Sequence, residues 1–150
     1  MTLVAITGTP GTGKSTLANY LEKELTMDRI DISEKYKEIS TKLNKNKQCY
    51  DVDLKKLKKL VQKEVKEKKN IIIDSHISHL LPKKSVDLCI VMQCSNLKKL
   101  EKRLEKRKYS KKKVRENMDT EIFQVCLFDA LELGHKVITV DSSTRYNKKE

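Results

Sequence analysis

Apolar residues recur along this chain in two rhythms, and each rhythm predicts an element. Thr2–Thr7 (TLVAIT), Asn70–Asp74 (NIIID) and Asp87–Met92 (DLCIVM) carry short continuous apolar runs, the pattern of strands covered on both faces in a parallel sheet. Arg29–Ile32 and Lys136–Val140 add two more strand-length segments. Between them the spacing becomes helical. Leu17, Leu21 and Leu25 recur over Lys14–Leu25, while Leu54, Leu57, Leu60, Val61 and Val65 share one face of a helix whose other face is lysine. Ser33 can cap a helix over Glu34–Leu43, Asn44–Asp53 reads as a polar connection, and Asn96–Arg107 alternates leucines with basic residues. Ser110–Leu133 reads as one long helix ended by Gly134. Strands alternating with helices imply right-handed crossovers. The order β-α-β-α-α-β-β-α-α-β therefore predicts an α/β fold, a five-stranded parallel sheet with helices on both faces. The 150 residues suffice for one domain, 1–150, and fall short of two of ordinary size.

The first strand runs into Gly8-Thr9-Pro10-Gly11-Thr12-Gly13-Lys14-Ser15. Glycines let such a loop curl until its backbone N–H groups point inward at phosphate oxygens, and the helix that follows adds the positive end of its dipole. At these spacings Lys14 reaches the β- and γ-phosphates and Ser15 offers a hydroxyl to magnesium. Strand, loop and helix are the context a P-loop requires. The segment is thus expected to hold ATP with a magnesium ion, and the architecture to be that of the P-loop NTPase kinases.

Asp74 closes an apolar strand, where an acid beside a P-loop holds the magnesium directly or through its water. His76 follows two residues on, at the carboxyl edge of the sheet. It either positions a water or accepts a proton near the γ-phosphate, or is a loop histidine with a local hydrogen bond. Arg103 and Arg107 are four apart on a predicted helix that ends near Tyr109, so both guanidinium groups share a face. They read as a cationic lid over about 103–113 that closes on the transferred phosphoryl group, or as solvated surface.

Charge adds a second theme. Lysine and arginine number 33 against 21 acids, a net +12, which draws polyanions such as RNA or nucleotides, or an acidic partner. The same Lys/Glu-rich surface also serves solubility or heat resistance. Cys49, Cys89, Cys94 and Cys126 form no CxxC pair and read as reduced core residues rather than zinc ligands or a disulfide framework. No apolar window approaches the roughly eighteen residues of a membrane span and no targeting segment leads the chain, so a cytoplasmic protein is expected.

The combination GTPGTGKST, IIIDSH at a strand end, RLEKRKY and then ENMDTEIFQ resembles the adenylate kinase 6 family, nucleoside monophosphate kinases and ATPases associated with small ribosomal subunit maturation. The resemblance runs from about Leu3 to Leu131, and its most specific parts are the Asp74-x-His76 pair and the run Glu121–Gln124. It implies Gly11, Gly13, Lys14, Ser15 and Thr16 as ATP contacts, Arg107 as the lid arginine, Ser15 and Asp74 at the magnesium, and Asp74 and His76 at the catalytic positions. It also implies an acceptor segment over about 33–53, with Ser33, Lys37 and Asp51 binding the nucleoside monophosphate. AMP is the foremost acceptor, and a small-subunit ribosomal protein and pre-ribosomal RNA are the implied partners. Two departures stand out. Lys37 occupies a place where the family tends to have arginine, and lysine lacks the planar fork that grips a phosphate. The family continues with a helix after the last strand, whereas this chain stops at Glu150, so that helix is expected to be short or missing.

Overall fold

A computed structural model describes residues 2–31, 40–44, 49–52, 54–67 and 70–143. Five parallel strands form the central sheet: β1 (Thr2–Gly8), β2 (Asp28–Asp31), β5 (Asn70–Asp74), β6 (Leu88–Gln93) and β7 (Val137–Asp141), in the order β2-β5-β1-β6-β7. The continuous apolar runs fill its middle because both faces are covered. Leu3, Ala5, Ile71, Ile73, Cys89 and Val91 alternate to one face. There they meet Leu57 and Val61 of helix α2 (Leu54–Glu67) and Cys126 and Ala130 of helix α5 (Val125–Glu132). Val4, Ile6, Ile72, Ile90 and Met92 turn to the other face and pack on Leu17 and Ala18 of helix α1 (Lys14–Glu24). Ile71, Ile72 and Ile73 are each 0% exposed, and burial of such a side chain stabilises by about 1.5–3 kcal/mol.

Two elements differ from the sequence pattern. The helix expected over Glu34–Leu43 does not extend through its last residues: Ser40–Asn44 is strand β3, paired antiparallel with β4 (Cys49–Val52) in a separate two-stranded sheet. The segment expected as a polar connection supplies the second half of this hairpin. Leu43 is in register with Tyr50, and the backbone ladder that Cys49–Val52 offers outweighs a weak local helix preference. Ser33 and Lys37 lie outside the described residues, and Asp51 is placed on β4.

The long helix expected over Ser110–Leu133 is two helices, α4 (Lys111–Ile122) and α5. Gln124 sits between them in the left-handed region, φ 52° and ψ 44°. Neither glycine nor proline marks that break. Ser110 caps α4 through a bond from the Lys113 N–H at 3.2 Å, and Gly134, with φ 85°, follows α5 as expected. Helix α3 (Leu97–Lys106) packs on α4 around Leu100, Leu104, Tyr109, Val114 and Met118. His79 is buried beneath α5, where its Nδ1 lies 2.6 Å from the Thr7 hydroxyl and its Nε2 3.7 Å from Asp129.

Candidate active site

The glycine loop joins β1 to α1 at the carboxyl edge of the sheet, where open α/β folds gather their ligands. Gly8 stands opposite Met92 of β6, and a Cβ there would lie 2.5 Å from the Met92 carbonyl oxygen. No side chain fits. Gly13 caps α1 with φ 92° and ψ 20°, a left-handed conformation that glycine adopts without steric cost. Thr12 draws the loop closed, its hydroxyl donating to the Thr9 carbonyl at 2.6 Å and its N–H to the same oxygen at 3.2 Å.

Lys14 folds back over this curl. Its ammonium donates to the carbonyls of Gly8 at 3.0 Å and Thr9 at 3.1 Å. Burial pushes its pKa from the ordinary 10.5 down to about 8, opposed by the Asp74 and Glu121 carboxylates and aided by the nearby Arg107 charge. Ser15 and Thr16, in the first turn of α1, are exposed.

Parallel register brings Asp74 beside Ile6, two residues before Gly8, and so sets its buried carboxylate next to the loop. The Ser15 hydroxyl donates to Asp74 Oδ2 at 3.4 Å. Magnesium takes hard oxygen ligands, commonly one or two carboxylates with several waters and substrate phosphates. A serine hydroxyl beside a carboxylate fits that requirement for an ion carried in on a nucleotide. Among the described residues no cluster of three or more His, Cys, Asp or Glu side chains forms an all-protein cage. The same Oδ2 also accepts from Arg29 Nη2 at 2.5 Å. Arg29 was not singled out by any motif, although it is the only arginine before Arg103.

His76 follows Asp74 as the chain leaves the sheet, and its backbone carbonyl accepts from the Thr7 hydroxyl at 3.3 Å. Burial first, then the charges of Lys14, His79 and Lys113, push its imidazole down from 6.5 to about 4. At neutral pH the ring is uncharged and keeps one acceptor nitrogen.

The pair of arginines separates into two environments. Arg103 is no free lid cation: its guanidinium donates to the Gly11 carbonyl at 3.1 Å, the Ser142 hydroxyl at 3.0 Å and the Ser142 carbonyl at 3.0 Å. It thereby ties the glycine loop to the end of β7, because a planar fork reaches several acceptors at once. Arg107 is exposed at the end of α3, donates to the Tyr109 hydroxyl at 3.4 Å and lies close enough to Lys14 to lower its pKa. Lys113 sits 3.9 Å over the Tyr109 ring. Glu121 at the end of α4 accepts from the Cys94 N–H at 2.7 Å and the Thr9 hydroxyl at 3.4 Å. The EIFQ run marked this glutamate in the sequence, while its grip on the loop appears only in three dimensions.

A glycine loop ahead of a helix, with an acid on the neighbouring parallel strand, defines a P-loop kinase fold. A family model described as an AAA domain matches residues 4–124. The chain is 41% identical over 145 residues, 95% of its own length and 77% of the other, to the Methanocaldococcus jannaschii protein named "Putative adenylate kinase". It is 37% identical over 140 residues, covering 92% of this chain and 79% of the relative, to the "Adenylate kinase isoenzyme 6 homolog" of Dictyostelium discoideum. A shikimate kinase from Acinetobacter baumannii, solved with shikimate, shares the fold at TM-score 0.63 with 11% identity, over 94% of this chain and 84% of that one. The chain belongs to the adenylate kinase 6 family. No described helix is long and apolar enough to cross a membrane.

Proposed function

We propose that this protein transfers the γ-phosphate of ATP to a nucleoside monophosphate, AMP foremost, and hydrolyses ATP when no acceptor is present. The observation that carries the reading is the convergence of Lys14, Ser15 and Asp74 on one curl of glycine loop. Backbone N–H groups of Gly11, Gly13, Lys14 and Ser15 cradle the phosphates, and Lys14 exchanges its two carbonyl partners for phosphate oxygens. Ser15 and Asp74 would hold magnesium, which neutralises charge across the β- and γ-phosphates. Thr16 meets a phosphate from the first turn of α1, Arg107 closes from the end of α3, and Arg103 braces the loop. Ser33, Lys37 and Asp51 serve the acceptor. His76, neutral at working pH, orients the attacking water or hydroxyl through its acceptor nitrogen.

A second reading is an ATPase acting in small ribosomal subunit and rRNA maturation in the cytoplasm, its nucleotide state switching its hold on a ribosomal protein and pre-ribosomal RNA. The net charge of +12 favours it. Product analysis with ATP and magnesium, with and without each monophosphate, tests both. ADP formed from AMP faster than free phosphate is released supports the kinase, and phosphate release indifferent to every monophosphate overturns it.

Two further outcomes are expected at this site. His76→Ala lowers ATP hydrolysis more than ATP affinity, because the ring acts on the attacking group. Equal losses in both would make it a binding or structural residue. ATP affinity should hold between pH 7 and pH 8 and then fall toward about tenfold per pH unit, since the free protein's Lys14 loses its proton near pH 8 while phosphate keeps the bound ammonium charged. Calorimetric titration with ATP at pH 7, 8 and 9 checks this, and a flat profile refutes it.

A further inference from the structure

We infer that Arg29 competes with the nucleotide-borne metal for Asp74, acting as a positioning residue that weakens the metal's hold on the site. The inference rests on the ATP-binding reading above and deepens it. Arg29 lies on β2 opposite Ile72, two residues before Asp74 on the neighbouring strand. Its side chain is 15% exposed and that of Asp74 5%, and Nη2 meets Oδ2 at 2.5 Å. The Ser15 hydroxyl addresses the same oxygen at 3.4 Å. The other arm of the guanidinium is held by Asn19 Oδ1, on α1 one helical turn beyond Ser15. Arg29 is therefore clamped between α1 and β5, and its charge stands at the oxygen that Ser15 shares.

A guanidinium and a dication want the same carboxylate lone pairs and repel one another. At this depth the repulsion is screened far less than between exposed charges. Arginine cannot withdraw by losing its proton. Metal can therefore engage Asp74 fully only by drawing Oδ2 away from Arg29 or by sharing the carboxylate with it. Arg29 also keeps the buried carboxylate paired when no metal is bound, which a neutral side chain would not do.

The test measures binding, not turnover: ATP dissociation constants in excess magnesium and in EDTA, for the parent, Arg29→Gln and Arg29→Lys. The ratio of the EDTA value to the magnesium value reports how much the metal adds. In Arg29→Gln, whose amide can still donate to Asp74, the ratio should rise about tenfold or more, because a cation beside the metal is gone. Arg29→Lys keeps a cation but lacks the fork that also holds Asn19, so its ratio should fall between those of the parent and Arg29→Gln. Thermal melting verifies that each variant folds, and Arg29→Met makes the same comparison should Arg29→Gln fail to melt cooperatively. An unchanged or smaller ratio in a folded neutral variant overturns the inference and leaves Arg29 a structural prop. If the parent binds no ATP in either condition, the ATP-binding reading fails, and this inference with it.

Discussion

Lys14→Ala is expected to turn over ATP at least about a hundredfold more slowly than the parent, the scale seen when one preorganised donor to a developing phosphate charge is removed. The ammonium sits on the Gly8 and Thr9 carbonyls of the glycine loop, ahead of the positive end of the helix that begins at Lys14. Alanine leaves the curl in place, since Gly8, Gly13 and the Thr12 bonds to Thr9 shape it. The variant should therefore melt close to the parent. Burial already disfavours the charged form of Lys14, so its removal takes little from the fold. Steady-state phosphate release and a thermal melt check both halves. Retention of more than about a tenth of parental turnover, a loss under ~1.4 kcal/mol, would remove Lys14 from the phosphate site.

Leu104→Ala should cost about 2–5 kcal/mol of stability, the range for emptying a buried leucine site. Leu104 is 0% exposed, as is Leu100 one turn earlier on α3. Together they form the floor of the glycine loop: a Cβ on Gly11 would lie 3.1 Å from Leu100 and 3.3 Å from Leu104. Truncation hollows that floor and also loosens the seam between α3 and α4, where Leu104 packs with Tyr109, Val114 and Met118. ATP affinity should fall along with the denaturation midpoint, and Leu104→Met, which conserves volume, should cost less than about 1.5 kcal/mol. Denaturant melts of both variants, with ATP titrations alongside, decide the point. A stability loss with unchanged ATP affinity would show that the loop keeps its shape without this floor.

Sequence by itself determined the parts of this protein whose physics is local or periodic. Ile71–Ile73 read as a doubly covered strand because nothing else accommodates three consecutive isoleucines so well beside turn residues. The glycine loop was legible because backbone curl, dipole and phosphate charge all demand the same few residues. Asp74 followed from its place at the end of such a strand, and parallel pairing set it beside Ile6. Tertiary structure decided what depends on partners distant along the chain. The last residues of the expected helix over Glu34–Leu43 became a strand because Cys49–Val52 offered a pairing edge. Gln124 broke the long helix with no glycine or proline to announce it. Arg103, one of two arginines alike in spacing, was drawn into the carbonyl of Gly11, 92 residues away, and into Ser142, while Arg107 stayed exposed at the end of α3. Arg29 carried no motif at all, and its ion pair with Asp74 spans 45 residues. A guanidinium's choice of acceptor is made by whatever the fold brings within about 3 Å of it, and no local rhythm of residues encodes that distance.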